Sequence, residues 1–414
     1  MSRDLSNTVF ESSVVEEPLW KNRAMWFVLV CVWARLATIY MHSPFFNLDA
    51  NFPYYLLNYK LEFTPRATIG SIYELLRNLF GIGWKAFCIL RFSFCALVYS
   101  IAAIVLFRAL LRLRNLRFAV LFGLFIFALP STFHPMAVIS VFDIYIITIM
   151  LSIVWMTFRE DALYYVLVPP LCVLAVLTHE NFIFMYLPFI LGILIWRSEK
   201  LSWRGLLKGG LTFVFTMGAF AAMAFRRAYL HDHSELLEAL NNTLSERASE
   251  YGIQLSNCLN TLGLTYWEHI KSVWSHFFLE QFSPYQIAVN VMSFLILVPA
   301  GIVIFKLWQY AWRNIAAERR RAMLCLIISC FGASCLFVVA HDYIRWITAI
   351  FICNTVALVV VYSDVKLASP ASLSTDKMVK WFCVCIFYLC LDPPTGICFS
   401  IADLLAYPIY KLCM

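Results

Sequence analysis

The chain has 414 residues and a formal net charge of +7, yet only 14% of its side chains are charged while 62% are hydrophobic, with 36 Phe, 20 Tyr and 13 Trp. Two soluble domains would fit the length, but a mean hydropathy of +0.76 excludes them and predicts one all-α, polytopic membrane helix bundle. There is no basic patch beside a soluble fold, so nucleic acid is excluded as a partner.

Residues 1–24 are polar and lack the basic start and small-residue cleavage site of a signal peptide, so they read as a cytoplasmic tail. The remainder, 25–412, reads as a single transmembrane domain. Apolar runs long enough to span a bilayer occupy 25–41, 86–107, 118–134, 141–158, 163–179, 182–196, 208–225, 286–305, 322–340 and 343–361. A C-terminal region, 379–412, crosses once or twice around Asp392-Pro393-Pro394, giving 11–12 transmembrane helices. The 14 cysteines mostly lie in these runs without CxxC or Cys/His spacing, and neither a metal nor a cofactor is expected.

Basic residues set the expected orientation. Arg108, Arg112, Arg114 and Arg117, then Arg197, Lys200, Arg204 and Lys208, then Lys306, Arg313, Arg319, Arg320 and Arg321 all fall on one side when the spans are threaded in order. The positive-inside rule makes that side, and the N-terminus, cytoplasmic. Two polar loops then face outward. Loop 42–85 should hold a short helix near 69–80 with a stripe of Ile69, Ile72, Leu75, Leu76 and Leu79. Loop 227–284 is acidic and should be helical near 234–250 and 264–280, with Trp267 and Trp274 packed against the bundle in preference to the interface.

This threading brings Asp49, Arg66, His134, Asp143, His179, Glu180, His341, Asp342 and Arg345 to the outer face from separate parts of the chain. Charges beside hydrocarbon are expensive and usually face a bundle interior or a watered cavity, so their convergence points to a site. In His341-Asp342-Tyr343-Ile344-Arg345-Trp346, spacings of three and four put the three ionisable groups on one helical side. There Arg345 would fork onto a phosphate, His341 would move a proton and Asp342 would orient either neighbour. The duller alternative is an Asp342–Arg345 pair within an aromatic belt. In Thr178-His179-Glu180-Asn181, His179 and Glu180 are a base and its orienter, or a polar turn capping two helices; Ile183 and Phe184 rule out HExxH. Asp49 suits a general base, and Arg66, in Pro65-Arg66-Ala67-Thr68-Ile69-Gly70-Ser71, stands at a helix start that would accept a phosphate. Tyr54, Tyr55, Tyr343 and Trp346 are candidate sugar-stacking rings, and His134 and Asp143 form a secondary polar notch. Arg35 and Arg91 lie inside apolar spans, either structurally paired or as deeper anion-binding groups.

In layout, and in the stretches His341–Trp346, Thr178–Asn181 and Pro65–Ser71, the chain resembles bacterial polytopic envelope proteins of surface-polysaccharide assembly. Those are the oligosaccharide-repeat polymerases and the multi-span, lipid-sugar-dependent glycosyltransferases. The resemblance implies transfer or polymerisation of sugars from a polyprenyl-diphosphate-linked donor at the outer face of the cytoplasmic membrane. The implied partners are that glycan carrier, membrane lipid and other assembly proteins. Asp49 matches the placement of the first-loop acid of such glycosyltransferases, although Ala50 stands where many have a second acid. Arg66 and Arg345 would be the outer-loop arginines of a polymerase. A transporter or flippase for a lipid-linked or anionic solute, or a noncatalytic assembly partner, are the alternatives.

Overall fold

The computed structural model describes residues 23–42, 53–64, 66–111, 116–129, 132–133, 135, 142–159, 161–198, 203–251, 264–279, 284–338, 343–365, 375–389 and 391. These form helices α1 (Arg23–His42), α2 (Pro53–Leu56), α3 (Ala67–Phe80), α4 (Trp84–Leu111), α5 (Leu116–Ala128), α6 (Asp143–Met156), α7 (Asp161–Thr178) and α8 (Phe182–Met185). Then follow α9 (Leu187–Arg197), α10 (Trp203–Asp232), α11 (Ser234–Ser249), α12 (Tyr266–Leu279), α13 (Pro284–Asn314), α14 (Arg320–Ser329), α15 (Tyr343–Val365) and α16 (Thr375–Leu389). Among the described residues there is no strand. Among the described residues six helical stretches are long and apolar enough to cross a bilayer: Arg23–Met41, Trp84–Ala109, Trp203–Asp232, Val291–Asn314, Ala317–Phe337 and Tyr343–Asp364. Shorter apolar helices accompany them, and the protein is an all-α polytopic membrane helix bundle.

The expected span 322–340 is not one regular helix: α14 stops at Ser329 and the chain continues as a 3-10 helix, Gly332–Val338. Close packing accompanies the change, because a Cβ at Gly332 would lie 2.7 Å from the carbonyl oxygen of Phe184. Span 182–196 is likewise broken at Tyr186, between α8 and α9. The second half of 379–412 lies outside the described residues.

Helix α7 is central to the site. It packs between α6 and α10 and also meets α3. The buried residues of α10 form a single stripe, Thr212, Thr216, Met223, Arg227 and Leu230, at spacings of three, four and seven. A hydrogen bond of 2.7 Å between the Tyr164 and Thr212 hydroxyls fixes the register. At about 1.5 Å per residue the 30-residue α10 measures about 45 Å, more than the hydrocarbon layer of about 30 Å, so part of it projects beyond the membrane.

The two ends of the bundle differ. At one end Asp364 of α15 accepts from Trp196 Nε1 (3.0 Å) and Arg197 (3.2 Å), and Arg319 lies 4.4 Å over the Trp196 ring. At the other meet the N-termini of α3, α6 and α15, the α7–α8 turn and the last turns of α10.

A candidate site at one end of the bundle

Arg345 is in the first turn of α15 and Asp143 is the first residue of α6. Its guanidinium clasps the carboxylate in a two-pronged pair, Nε–Oδ2 at 2.8 Å and Nη2–Oδ1 at 2.7 Å. Both residues are buried, Asp143 at 1% exposure, and the carboxylate sits where a helix N-terminus favours negative charge. The same Nη2 donates to His179 Nε2 at 2.9 Å. Arginine has only donors, so Nε2 accepts and the imidazole proton resides on Nδ1. The Asn181 N–H at 3.3 Å from Nδ1 is therefore a packing contact in this tautomer, and Nδ1 instead faces Glu180 Oε2 at 3.4 Å.

Glu180 continues the chain of contacts. Its Oε1 accepts from Arg66 Nη2 at 3.2 Å, while the buried Oε2 has only the His179 Nδ1 contact at 3.4 Å among the described residues. Arg227, 5% exposed at the end of the α10 stripe, lies 4.6 Å over the Tyr266 ring, and its charge reaches Glu180. Four elements thus supply one continuous set of five groups, Asp143, Arg345, His179, Glu180 and Arg66, with Arg227 of α10 and Tyr266 of α12 beside it.

The α7–α8 turn lies beyond the spanning helices, and its two ionisable groups are strongly perturbed. Burial, then the Arg66 charge, push the His179 imidazole down to about 3, so it is neutral. Burial alone would raise the Glu180 carboxyl. The charges of Arg66, first, and Arg227 outweigh it and hold the group well below the usual carboxylate range, so Glu180 is ionised.

The Pro65–Ser71 stretch divides between two tasks. Arg66 is the N-cap residue of α3 and is left-handed (φ 71°), a conformation rare outside glycine; its N–H donates to Leu177 O at 3.1 Å. Thr68 and Ser71 hold the preceding loop, through Tyr59 Oη (2.6 Å) and the Tyr59 N–H (2.9 Å). Gly70 admits the Leu57 carbonyl, which would lie 1.7 Å from an added Cβ. The loop is also tied to α10, where Arg226 Nε donates to Glu62 at 2.8 Å.

The remaining candidates fall elsewhere. Asp49, His134, His341 and Asp342 lie outside the described residues, and Tyr54 is in α2 with its side chain outside them. Asp143 holds Nε and Nη2 of the Arg345 guanidinium, and the alternative Asp342–Arg345 pair falls outside the described residues. Tyr55 is 1% exposed and packed edge-on against Trp84, Phe87 and Phe142, while Trp346 is 1% exposed beneath Arg345. Neither presents a face to a sugar. Tyr343 stacks on Phe337 at 5.6 Å. Arg35 donates to Leu389 O (3.2 Å) and Leu391 O, closing the end of α16 as a basic residue at a helix C-terminus does. Arg91 donates to Pro135 O at 3.2 Å and interacts with Tyr55 and Tyr145.

Sequence reading had not singled out Arg227 or Tyr266. The signal for Arg227 was available, since it keeps the spacing of the Thr212–Thr216–Met223 stripe. Among the described residues no group of three or more His, Cys, Asp or Glu could hold a metal ion. The fold and site define a polytopic membrane protein with an ionic network at one bundle end. No protein-family model, curated protein or solved structure matches the chain.

Proposed function

We propose that this network is the active site of a sugar transferase or repeat polymerase that uses a polyprenyl-phosphate- or polyprenyl-diphosphate-linked donor. The observation that carries the reading is Glu180: an ionised, buried carboxylate with one oxygen held by Arg66 and the other met by His179 Nδ1 at 3.4 Å, with no closer hydrogen-bond partner among the described residues. Such an oxygen suits an acceptor hydroxyl. In the proposed step the hydroxyl oxygen bonds to the donor's anomeric carbon and its proton passes to Glu180. The anomeric carbon–oxygen bond to phosphate breaks, and the leaving phosphate keeps the electron pair. Arg66 and Arg227 stabilise that charge, work for which fixed donors typically contribute about 10²–10³-fold in rate.

The geometry alters the roles expected from sequence. Arg345 is engaged by Asp143 and His179, so it is a positioning residue that fixes the turn bearing Glu180. His179 uses its one basic nitrogen on Arg345 and likewise positions Glu180. Asp49 is retained as a second proposed base. In the accompanying topology the membrane is the bacterial cytoplasmic membrane, the N-terminus is cytoplasmic and the network faces outward, following the basic-residue bias.

A deletion strain complemented with Arg66→Ala, Glu180→Gln and Asp49→Asn tests the reading by the glycans it makes. Accumulated single repeats would identify a polymerase, and repeats lacking one sugar a transferase. Normal glycans in the deletion strain would refute the proposal.

A further inference from the structure

The apolar stripe of α3 divides: Ile69 is buried and Leu76 packs against the core, while Ile72, Leu75 and Leu79 face outward. Ala67, Thr68, Ile69, Gly70 and Tyr73 are its buried residues. Ile72, Leu75, Leu79 and Phe80 are exposed at 45%, 55%, 64% and 70%. Its polar residues turn to α11 and the segment just after it, where Glu74 meets Arg247 at 3.9 Å and Arg77 meets Glu250 at 4.0 Å and lies 5.6 Å over the Tyr251 ring. An exposed row of four large apolar side chains beside a charged side is the pattern of a helix lying in a membrane interface.

Both ends of α3 are fixed to the bundle rim. The Arg66 N–H is bonded to Leu177 at the end of α7. At the other end Gly81, left-handed at φ 65°, closes the helix, and only residues 81–83 separate Phe80 from the start of the spanning helix α4. Three residues reach at most about 10 Å, so α3 runs along the rim and does not stand off it. Helix α12 shows the same character independently. Tyr266 stacks on Phe220 of α10 at 5.1 Å, and Trp267 and Trp274, seven residues apart, are 64% and 43% exposed.

We propose that α3 and α12 lie in the membrane–water interface, with the Ile72–Leu75–Leu79–Phe80 face of α3 seated in lipid, so that a lipid-borne phosphate reaches Arg66 laterally from the leaflet. The occupant of this face is hydrocarbon, because residues 81–83 join Phe80 directly to spanning helix α4, whose Ile89, Leu90, Leu97 and Ile101 are likewise exposed apolar side chains. The lateral entry rests on the phosphate-binding reading of the network; the interfacial placement of α3 does not.

Two measurements test it. A benzophenone amino acid placed in turn at Ile72, Leu75, Leu79 and Asn78 in native membranes is irradiated, and the adducts are weighed. Lipid adducts at 72, 75 and 79 but not at 78 are expected; protein adducts alone, or equal lipid labelling at 78, overturn the placement. The purified protein is then melted with farnesyl phosphate, inorganic phosphate or farnesol. Farnesyl phosphate alone should raise the melting temperature, and Leu75→Asn/Leu79→Asn and Arg66→Ala should each abolish the rise. A rise retained in the α3 variant but lost in Arg66→Ala overturns lateral entry and leaves the phosphate reading standing. No rise in the wild type, with lipid adducts present, overturns the phosphate reading and the entry with it.

Discussion

The Asp143–Arg345 pair shows why identity at one position depends on its partner. A buried, two-pronged ion pair is expensive to desolvate, and breaking it by removing one charge typically costs about 3–5 kcal/mol because the other charge is left stranded. Asp143→Asn should therefore destabilise the protein strongly, whereas Asp143→Leu combined with Arg345→Met should recover much of the loss; thermal unfolding in detergent measures both. His179 predicts a pH dependence of definite sign. Its folded pKa is depressed to about 3, so between the ordinary histidine range near pH 6.5 and that value the unfolded chain binds a proton that the folded chain does not. Stability is full above about pH 6.5 and falls as the pH is lowered. The melting temperature should drop between pH 7 and pH 4.5, and His179→Gln should flatten that drop. A steeper drop in the variant would contradict the assigned charge state. Glu180, also depressed, adds loss in the same direction at lower pH.

At the scale of elements, close backbone approach decides where helices sit. Gly192 of α9 faces α14, where an added Cβ would lie 2.0 Å from Ser329 Oγ and 2.7 Å from Ser329 Cβ, but 3.4 Å from the next atom, Leu326 Cα. Gly192→Ala should cost about 1–3 kcal/mol, as overpacking does. Adding Ser329→Gly removes both short contacts and should restore stability to within the cost of a helix glycine, about 1 kcal/mol; no recovery in the double variant would place the strain elsewhere. Much of the helical layout was legible, because apolar runs report bilayer crossing directly. The breaks at Tyr186 and at Cys330–Phe331 were marked only locally, by Pro188 in the first turn of α9 and by Gly332, and it is the close approach of Gly332 to Phe184 and Pro188 that brings the two breaks together. The direction of the α3 stripe was hidden: the periodicity shows that a face exists, but lipid and protein core select the same residues for it.

For the whole molecule, the threading of basic residues brought Arg66, Asp143, His179, Glu180 and Arg345 to one end before any contact was known, and the structure joins them. What the sequence could not supply was the pairing. Among the described residues the carboxylate that holds Arg345 comes from 202 positions away, and no local spacing announces it. Orientation is separately testable. Site-specific labelling with a membrane-impermeant reagent should reach residues of loop 227–284 from outside and those of 108–117 only after permeabilisation. The central claim is that Glu180 receives the acceptor's proton in a transfer of lipid-linked sugar, and its most direct test is a rate. Proteoliposomes of wild type and Glu180→Gln, matched in amount and melting temperature, are supplied with the lipid-linked glycans extracted from the deletion strain, and product is followed by mass. Loss of a general base predicts a fall of about 10²–10⁴-fold in initial rate. Equal rates in the two proteins would contradict it.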